Sequence, residues 1–281
     1  DISTMTDEQV FTRMIQETVP HEIGHTLGLR HNFKATADLK NIVDNADSTS
    51  VMDYEIDLQA LTEPGPYDLA AIAYGYEGDK SLYEGKDFFY ATDESESTDP
   101  QSNQWDAGDV FEFYSARFAH FRKLRDAGLF SSPASYSRSQ RHNLAVARKF
   151  VNRDEASGPK AFDFLLKVLA TRTAEAPFDS AERLEAMAVL TDADPNLEPL
   201  DDKQLSKLAK GLSKSVAPVG EDDFDTRVAM LEALKAMNNI YGRDAIASLD
   251  KAFSQLGAKL PARERELALR VSQALAGYFG K

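Results

Sequence analysis

Residues His21-Glu22-Ile23-Gly24-His25-Thr26-Leu27-Gly28-Leu29-Arg30-His31 place three imidazoles and one carboxylate at spacings suited to gripping a single metal ion. Histidines four apart on a helix project from one face, so a nitrogen of each reaches the same ion. Glu22 lies about 100° further round, near enough to touch a water on the metal but badly placed to ligate. Gly28 accepts positive φ, so the helix stops there and the chain doubles back. His31 returns as the third ligand, and the fourth position is left to water, as in catalytic rather than structural zinc sites. Zinc lowers the pKa of a coordinated water from about 15.7 towards about 7. Glu22 is then the candidate general base, handing the proton on to a leaving amine as general acid. The metal polarises the carbonyl and holds the developing oxyanion. Amide hydrolysis without a covalent intermediate is the expected chemistry. The chain has no cysteine, which excludes a thiol nucleophile and a cysteine-ligated zinc.

Other ligand sets compete with this one. A glutamate third ligand would stand about twenty residues beyond His25, a window that holds only Asp44 and Asp47. An aspartate from Asp44, Asp47 or Asp68 is the remaining substitute for His31. Taken singly, Met52 reads as core filler and Tyr54 as a packing or hydrogen-bonding tyrosine. Their place after the histidine motif gives them a different meaning.

Two further stretches follow the histidines: Ser50-Val51-Met52-Asp53-Tyr54, whose methionine lies 21 residues after His31, and Gly65-Pro66-Tyr67-Asp68-Leu69-Ala70-Ala71-Ile72-Ala73-Tyr74-Gly75-Tyr76. In this order the three stretches resemble the metzincin metallopeptidases, whose zinc helix carries the extended motif. They are most similar to a bacterial family of large envelope or secreted zinc-dependent proteases. The resemblance covers residues 5 to 78 closely and the remainder loosely. It implies Zn2+ as cofactor, peptide or protein as substrate, and a periplasmic, outer-envelope or extracellular location. It also implies a tight turn with Met52 beneath the metal. Tyr54, two places on, would ligate zinc or stabilise the tetrahedral intermediate; the oxyanion role is the one carried forward. Residues from about 50 to 66 would form part of the pocket for the side chain after the scissile bond.

These side chains need elements to hold them. Thr6-Asp7-Glu8-Gln9 reads as a capping box, with Thr6 as N-cap and Gln9 at N3, starting the zinc helix directly. Val10, Phe11, Met14 and Ile15 then recur at helical spacing. Pro20 deletes a hydrogen bond and crowds the preceding turn, so a kink or a fresh helix start is expected there. A metzincin catalytic domain places a β-sheet before its zinc helix, with an edge strand for the extended substrate. Residues 1 to 20 cannot supply that sheet, so the chain is expected to be the C-terminal piece of a longer protein. Without the sheet, weakened zinc affinity is expected.

Residues 34 to 50 are polar and read as a loop, Thr62 to Pro66 as a turn, and Asp68 suits the first turn of the next helix. Residues 91 to 104 are acidic and serine-rich, which predicts a solvated loop or linker. Beyond Trp105 the pattern is helix after helix. Val110, Tyr114, Phe118 and Phe121 form a core-facing stripe, with further helices expected near 140–152, 160–172, 180–190, 202–216, 224–241, 243–256 and 262–279. Breaks fall at Gly158-Pro159, Pro177, Asp194-Pro195, Pro218 with Gly220, Gly242, and Gly257 to Pro261. His120 and His142 read as packed or exposed histidines rather than ligands. The stretch from Asp192 to Lys203 fails as a calcium loop, because Leu197 replaces the turn glycine and Lys203 the bidentate glutamate. No fixed-period repeat is present.

The expected fold is mainly α, organised as residues 1–78 (C-terminal half of a metzincin-like catalytic domain), 79–104 (acidic loop or linker) and 105–281 (an irregular helical domain). At 281 residues with 42% apolar residues, the chain can bury a sizeable core. A net charge of −14 argues against nucleic acid and against an anionic membrane surface. Much of it is local: residues 77 to 112 hold eleven Asp or Glu and two Lys. No apolar run approaches the length of a membrane span, and Asp1-Ile2-Ser3-Thr4 does not open a signal peptide. Zero cysteine fits both a cytosol and a bacterial envelope. The rival reading is a helical module over 105–281 that docks a partner beside a vestigial protease half. The intact ligand set with Glu22 argues against vestigial decay.

Overall fold

The computed structural model describes residues 5–43, 46–55, 61–96, 98–170, 178, 180–190, 192, 194–204 and 207–208. The chain divides into two compact units, Asp1–Ala116 and Arg117–Lys281. Among the described residues it is mainly helical, with no named strand and one isolated parallel bridge, Glu55 to Asp106.

In the first unit α1 spans Asp7–Thr26 and opens on the capping box: Thr6 Oγ1 accepts from Gln9 N at 3.3 Å and Gln9 Oε1 accepts from Thr6 N at 2.8 Å. The two bonds satisfy two otherwise orphaned donors. Pro20 lies inside this helix, which runs on past it to Thr26. The expected fresh start does not occur. Pro20 removes the N–H that would bond Gln16, and Gln16 is exposed, so water can solvate that carbonyl. The helix ends at Gly28, whose φ of +90° turns the chain back. Gly28 N donates to His25 O and Leu29 N to Gly24 O, each at 3.0 Å, a Schellman closure.

Only His21 and Gly24 of α1 are buried. Phe11, Ile15, Val19, Ile23 and Leu27, four apart along the helix, are all exposed. The core of this unit lies instead under the loops that follow: Phe33, Ala35, Val51, Met52, Ala70 and Ala91 are buried with Val110, Phe111 and Tyr114. Residues 34–43 and 46–50 form turns and bends, as expected of a polar loop. Helix α2 spans Pro66–Glu77, with proline in its first turn and Gly78 closing it in the left-handed region. A single 3-10 turn, Asp93–Ser95, and helix α3, Val110–Asp126, complete the order.

The sequence predicts an acidic loop or linker over residues 79–104, solvated over 91–104. The stretch is irregular, yet its backbone is bonded to the loop after the zinc motif. Phe33 N donates to Ala91 O at 2.8 Å, and Asn32 Nδ2 to Phe89 O at 3.0 Å. Asp38 accepts from Phe89 N at 3.0 Å, and Ala91, Ser102 and Asn103 are buried. Asp93, Glu94 and Asp99 find His31, Arg30 and Lys34 on the facing loop, and Phe88 and Tyr90 pack on Tyr67.

The second unit contains α4 (Pro133–Phe150), α5 (Gly158–Ala170) and α6 (Ser180–Leu190), packed on one another. Helix α4 begins seven residues before the expected 140 because Ser132 caps it, accepting from Ser135 N at 3.1 Å, and Pro133 suits its first turn. Phe118, Leu144, Phe150, Leu165, Leu169 and Leu190 fill the core. Glu182, buried, takes Arg122 at 3.0 Å and a short hydrogen bond from the Tyr136 hydroxyl. Most of the expected helix at 202–216, all of those at 224–241, 243–256 and 262–279, and the breaks at Pro177 and from Pro218 onward lie outside the described residues.

Candidate metal centre

Helix α1 carries His21 and His25 on one face, and the Gly28 turn brings His31 back towards them. Ring centroids stand 4.8 Å apart for His21–His25, 4.9 Å for His25–His31 and 5.4 Å for His21–His31. A ligand atom from each lies within 4.8 Å of the other two. It is the one such cluster among the described residues, and neither His120 nor His142 belongs to it. Asp47 and Asp68, the substitutes considered for His31, stand outside it as well, while Asp44 is not among the described residues.

The second nitrogen of every ring is committed. His21 Nδ1 faces Val51 O at 2.8 Å, His25 Nδ1 faces Leu29 O at 3.0 Å, and His31 Nδ1 faces the Asp93 carboxylate at 3.0 and 3.1 Å. Carbonyls and carboxylates only accept, so each Nδ1 carries a hydrogen, and in the neutral ring Nε2 then keeps its lone pair. That is the tautomer a metal needs, fixed by outer partners in advance. Burial holds the His21 pKa below its ordinary value, against the Val51 bond and with the neighbouring His25 and His31, which keeps this ring neutral. The donor set therefore fits Zn2+: three imidazole nitrogens with no carboxylate among them.

Below the helix, Met52 is fully buried, and a Cβ placed on Gly24 would stand 2.3 Å from its Sδ. Gly24, between the two helical histidines, is thus the residue that lets the methionine turn press against α1. Asp68, buried at the start of α2, holds that turn. Its carboxylate accepts from Ser50 Oγ at 2.6 Å, Val51 N at 2.8 Å and Gly65 N at 2.8 Å. Gly65 leaves no room either, since a Cβ there would meet Thr49 O at 2.2 Å. The GPYD stretch is thereby tied to the carbonyl of Val51 that orients His21.

Tyr54 sits at the mouth. Its hydroxyl donates to His31 Nε2 at 3.0 Å, and its ring lies between His21 (centroids 5.3 Å apart, 23°) and Trp105 (5.1 Å, 17°). Burial, with help from the Asp93 and Glu22 carboxylates, raises its pKa, so the phenol stays protonated and donates. Glu22 is exposed on the same turn of α1 and close enough to act electrostatically on both His21 and Tyr54. Sequence reasoning missed three members of this environment. Phe33 stacks on His31 (5.0 Å, 24°), Asp93 bonds it, and Trp105 backs Tyr54, its backbone N–H donating to the Tyr54 backbone carbonyl at 2.8 Å. Trp105 holds φ +62° while half exposed, a conformation a bulky residue rarely adopts. Phe33 and Trp105 stood near the motifs, whereas Asp93 is separated from His31 by 62 residues and gave no spacing signal.

Three clustered imidazoles, with the Tyr54 hydroxyl on His31 Nε2 and a buried methionine beside the helix, form a candidate metal centre. Residues 3–127 match a family model described as Met-zincin, which supports a metalloprotease-like domain over that stretch. The matched stretch runs past residue 78 and takes in the segment that carries Asp93 and Trp105. Among curated proteins and among solved structures, none matches the chain.

Proposed function

We propose that this chain carries the zinc centre of an endopeptidase, with His21, His25 and His31 as ligands, Glu22 as general base and acid, and Tyr54 as oxyanion donor. The observation that carries the reading is the clustering of the three rings, a ligand atom of each within 4.8 Å of the others, with every Nδ1 spent on a fixed acceptor so that Nε2 is the nitrogen left to ligate, that of His31 by releasing the Tyr54 hydroxyl. Zinc held there supplies Lewis acidity, acidifying a water and polarising a peptide carbonyl. Glu22, acidic and exposed beside the histidines, takes a proton from the attacking water as the new C–O bond forms. It delivers that proton to the amide nitrogen as the C–N bond breaks, so one water is consumed and an acid and an amine leave. The protonated Tyr54 hydroxyl donates to the oxyanion, a role supported by its position 3.0 Å from His31 Nε2. Met52 keeps the floor of the site filled and α1 in place.

Glu22→Gln tests the reading, because it removes the base without touching a ligand. With zinc supplied and a mixed peptide library as substrate, the variant should keep its zinc and lose about 10²–10⁴-fold in kcat. Cleavage at the parent rate by the Gln variant overturns the catalytic assignment.

A further inference from the structure

We propose that Asp93 is a positioning residue for the third metal ligand and that the acidic segment around it is the clasp that fixes His31; this rests on the zinc reading above. His21 and His25 are held by the rigid helix and by backbone carbonyls on their Nδ1 atoms. His31 stands beyond the helix end, on irregular chain, and its Nδ1 partner is a side-chain carboxylate 62 residues away. Asp93 is itself oriented, accepting from Thr92 Oγ1 at 3.2 Å. On either side of this contact two more pairs join the same two segments: Arg30 with Glu94 at 2.6 Å and Lys34 with Asp99 at 2.9 Å. Beneath them, Phe33 N donates to Ala91 O at 2.8 Å and Ala91 N to Asn32 Oδ1 at 3.2 Å. The acidic run so pairs, residue against residue, with Arg30, His31 and Lys34. Of the three acids Asp93 alone reaches a ligand, and a carboxylate on Nδ1–H raises the donor strength of Nε2 as well as fixing the ring.

The experiment uses the full 281-residue chain and the metals alone. Zinc affinity is measured by competition with a chromophoric chelator, and the ligand field by the visible absorption of the cobalt(II) form. Asp93→Ala should weaken zinc about 10–100-fold and shift the cobalt bands. Asp93→Asn, which keeps an acceptor but loses the charge, should fall between Ala and the parent, and Asp93→Glu should recover part of the loss. Glu94→Gln, which cuts the neighbouring Arg30 pair, should leave both readouts at parent values. Thermal unfolding of the metal-free protein should be the same for all, since exposed ion pairs contribute little.

A parent that binds zinc together with an Asp93→Ala variant that binds it equally well, cobalt bands unmoved, overturns the positioning role alone. So does a Glu94→Gln variant as damaged as Asp93→Ala, which would make the segment a general brace. A parent that takes up no zinc overturns the metal-centre reading, and this inference with it.

Discussion

At the scale of single residues, the carboxylate of Asp68 does more for the site than its place outside the histidine cluster suggests. It is buried, and burial raises its pKa even though the Ser50, Val51 and Gly65 donors pull the other way. Truncating it strands three donors inside the protein, each costing about 1–3 kcal/mol if left unpaired. Asp68→Ala should therefore lower stability by about 3 kcal/mol or more, read as a shift of the urea midpoint, while Asp68→Asn should cost clearly less. Equal midpoints for parent and Ala variant would show that the turn is held by something else. Gly24 makes a second case. Alanine is the better helix former by about 1 kcal/mol, yet its Cβ would stand 2.3 Å from the sulfur of a fully buried Met52. Overpacking should win, giving Gly24→Ala a net loss of about 1–3 kcal/mol. The clash has a named partner, so combining it with Met52→Ala should cost less than the two single changes added together. Additive losses would mean that the two side chains do not meet.

At the scale of elements, the zinc helix was legible at both ends because its signals are local: Thr6 and Gln9 three apart, and Gly28 just past the last turn. Of the kink and the fresh start expected at Pro20, the fresh start does not occur, because sequence shows the lost N–H but not the exposure of Gln16 that lets the freed carbonyl be solvated. The segment 91–104 reads from its sequence as a solvated loop or linker, and what that sequence leaves out is which residues face it. Its composition speaks for solvation, and only the fold brings Arg30, His31 and Lys34 opposite its acids. The methionine turn hides another property that composition cannot show, a buried run of acids. Burial raises Glu55 to about 8, with the Asp47 and Glu17 carboxylates adding to it and Ser48 and Arg13 opposing. Burial also pushes Asp53 well above the carboxylate range, helped by Asp106 and Glu55. The folded state thus holds protons that the unfolded chain releases near pH 4.5. Stability from Glu55 is complete below that value, declines as pH rises through about 8, and is flat beyond it. Urea midpoints taken from pH 5 to 9 should fall accordingly, and Glu55→Gln, neutral throughout, should flatten the decline. An unchanged slope in that variant would remove Glu55 from the account.

At the scale of the whole molecule, function and bulk are separately placed. The three histidines, their acceptors Val51, Leu29 and Asp93, and the supports Met52 and Asp68 all belong to the unit Asp1–Ala116. Helices α4, α5 and α6 belong to the other unit and contribute none of these groups. Their existence was plain from apolar spacing, as with Leu165 and Leu169 of α5, but their packing partners were not, because helical periodicity fixes a face without saying what covers it. A ligand that binds the folded state alone stabilises it by about 2.7 kcal/mol at a hundred times its Kd. That gain should appear where the ligating atoms are anchored. Hydrogen exchange with saturating zinc should slow at the amides of Gly24–His31, Val51–Tyr54 and Ala91–Asp93, and a chelator should reverse it. Amides within Pro133–Phe150, Gly158–Ala170 and Ser180–Leu190 should exchange as before, since no ligand or ligand partner lies there. Protection gained in those three helices and absent around His21, His25 and His31 would place the metal elsewhere, and the histidine centre would have to be given up.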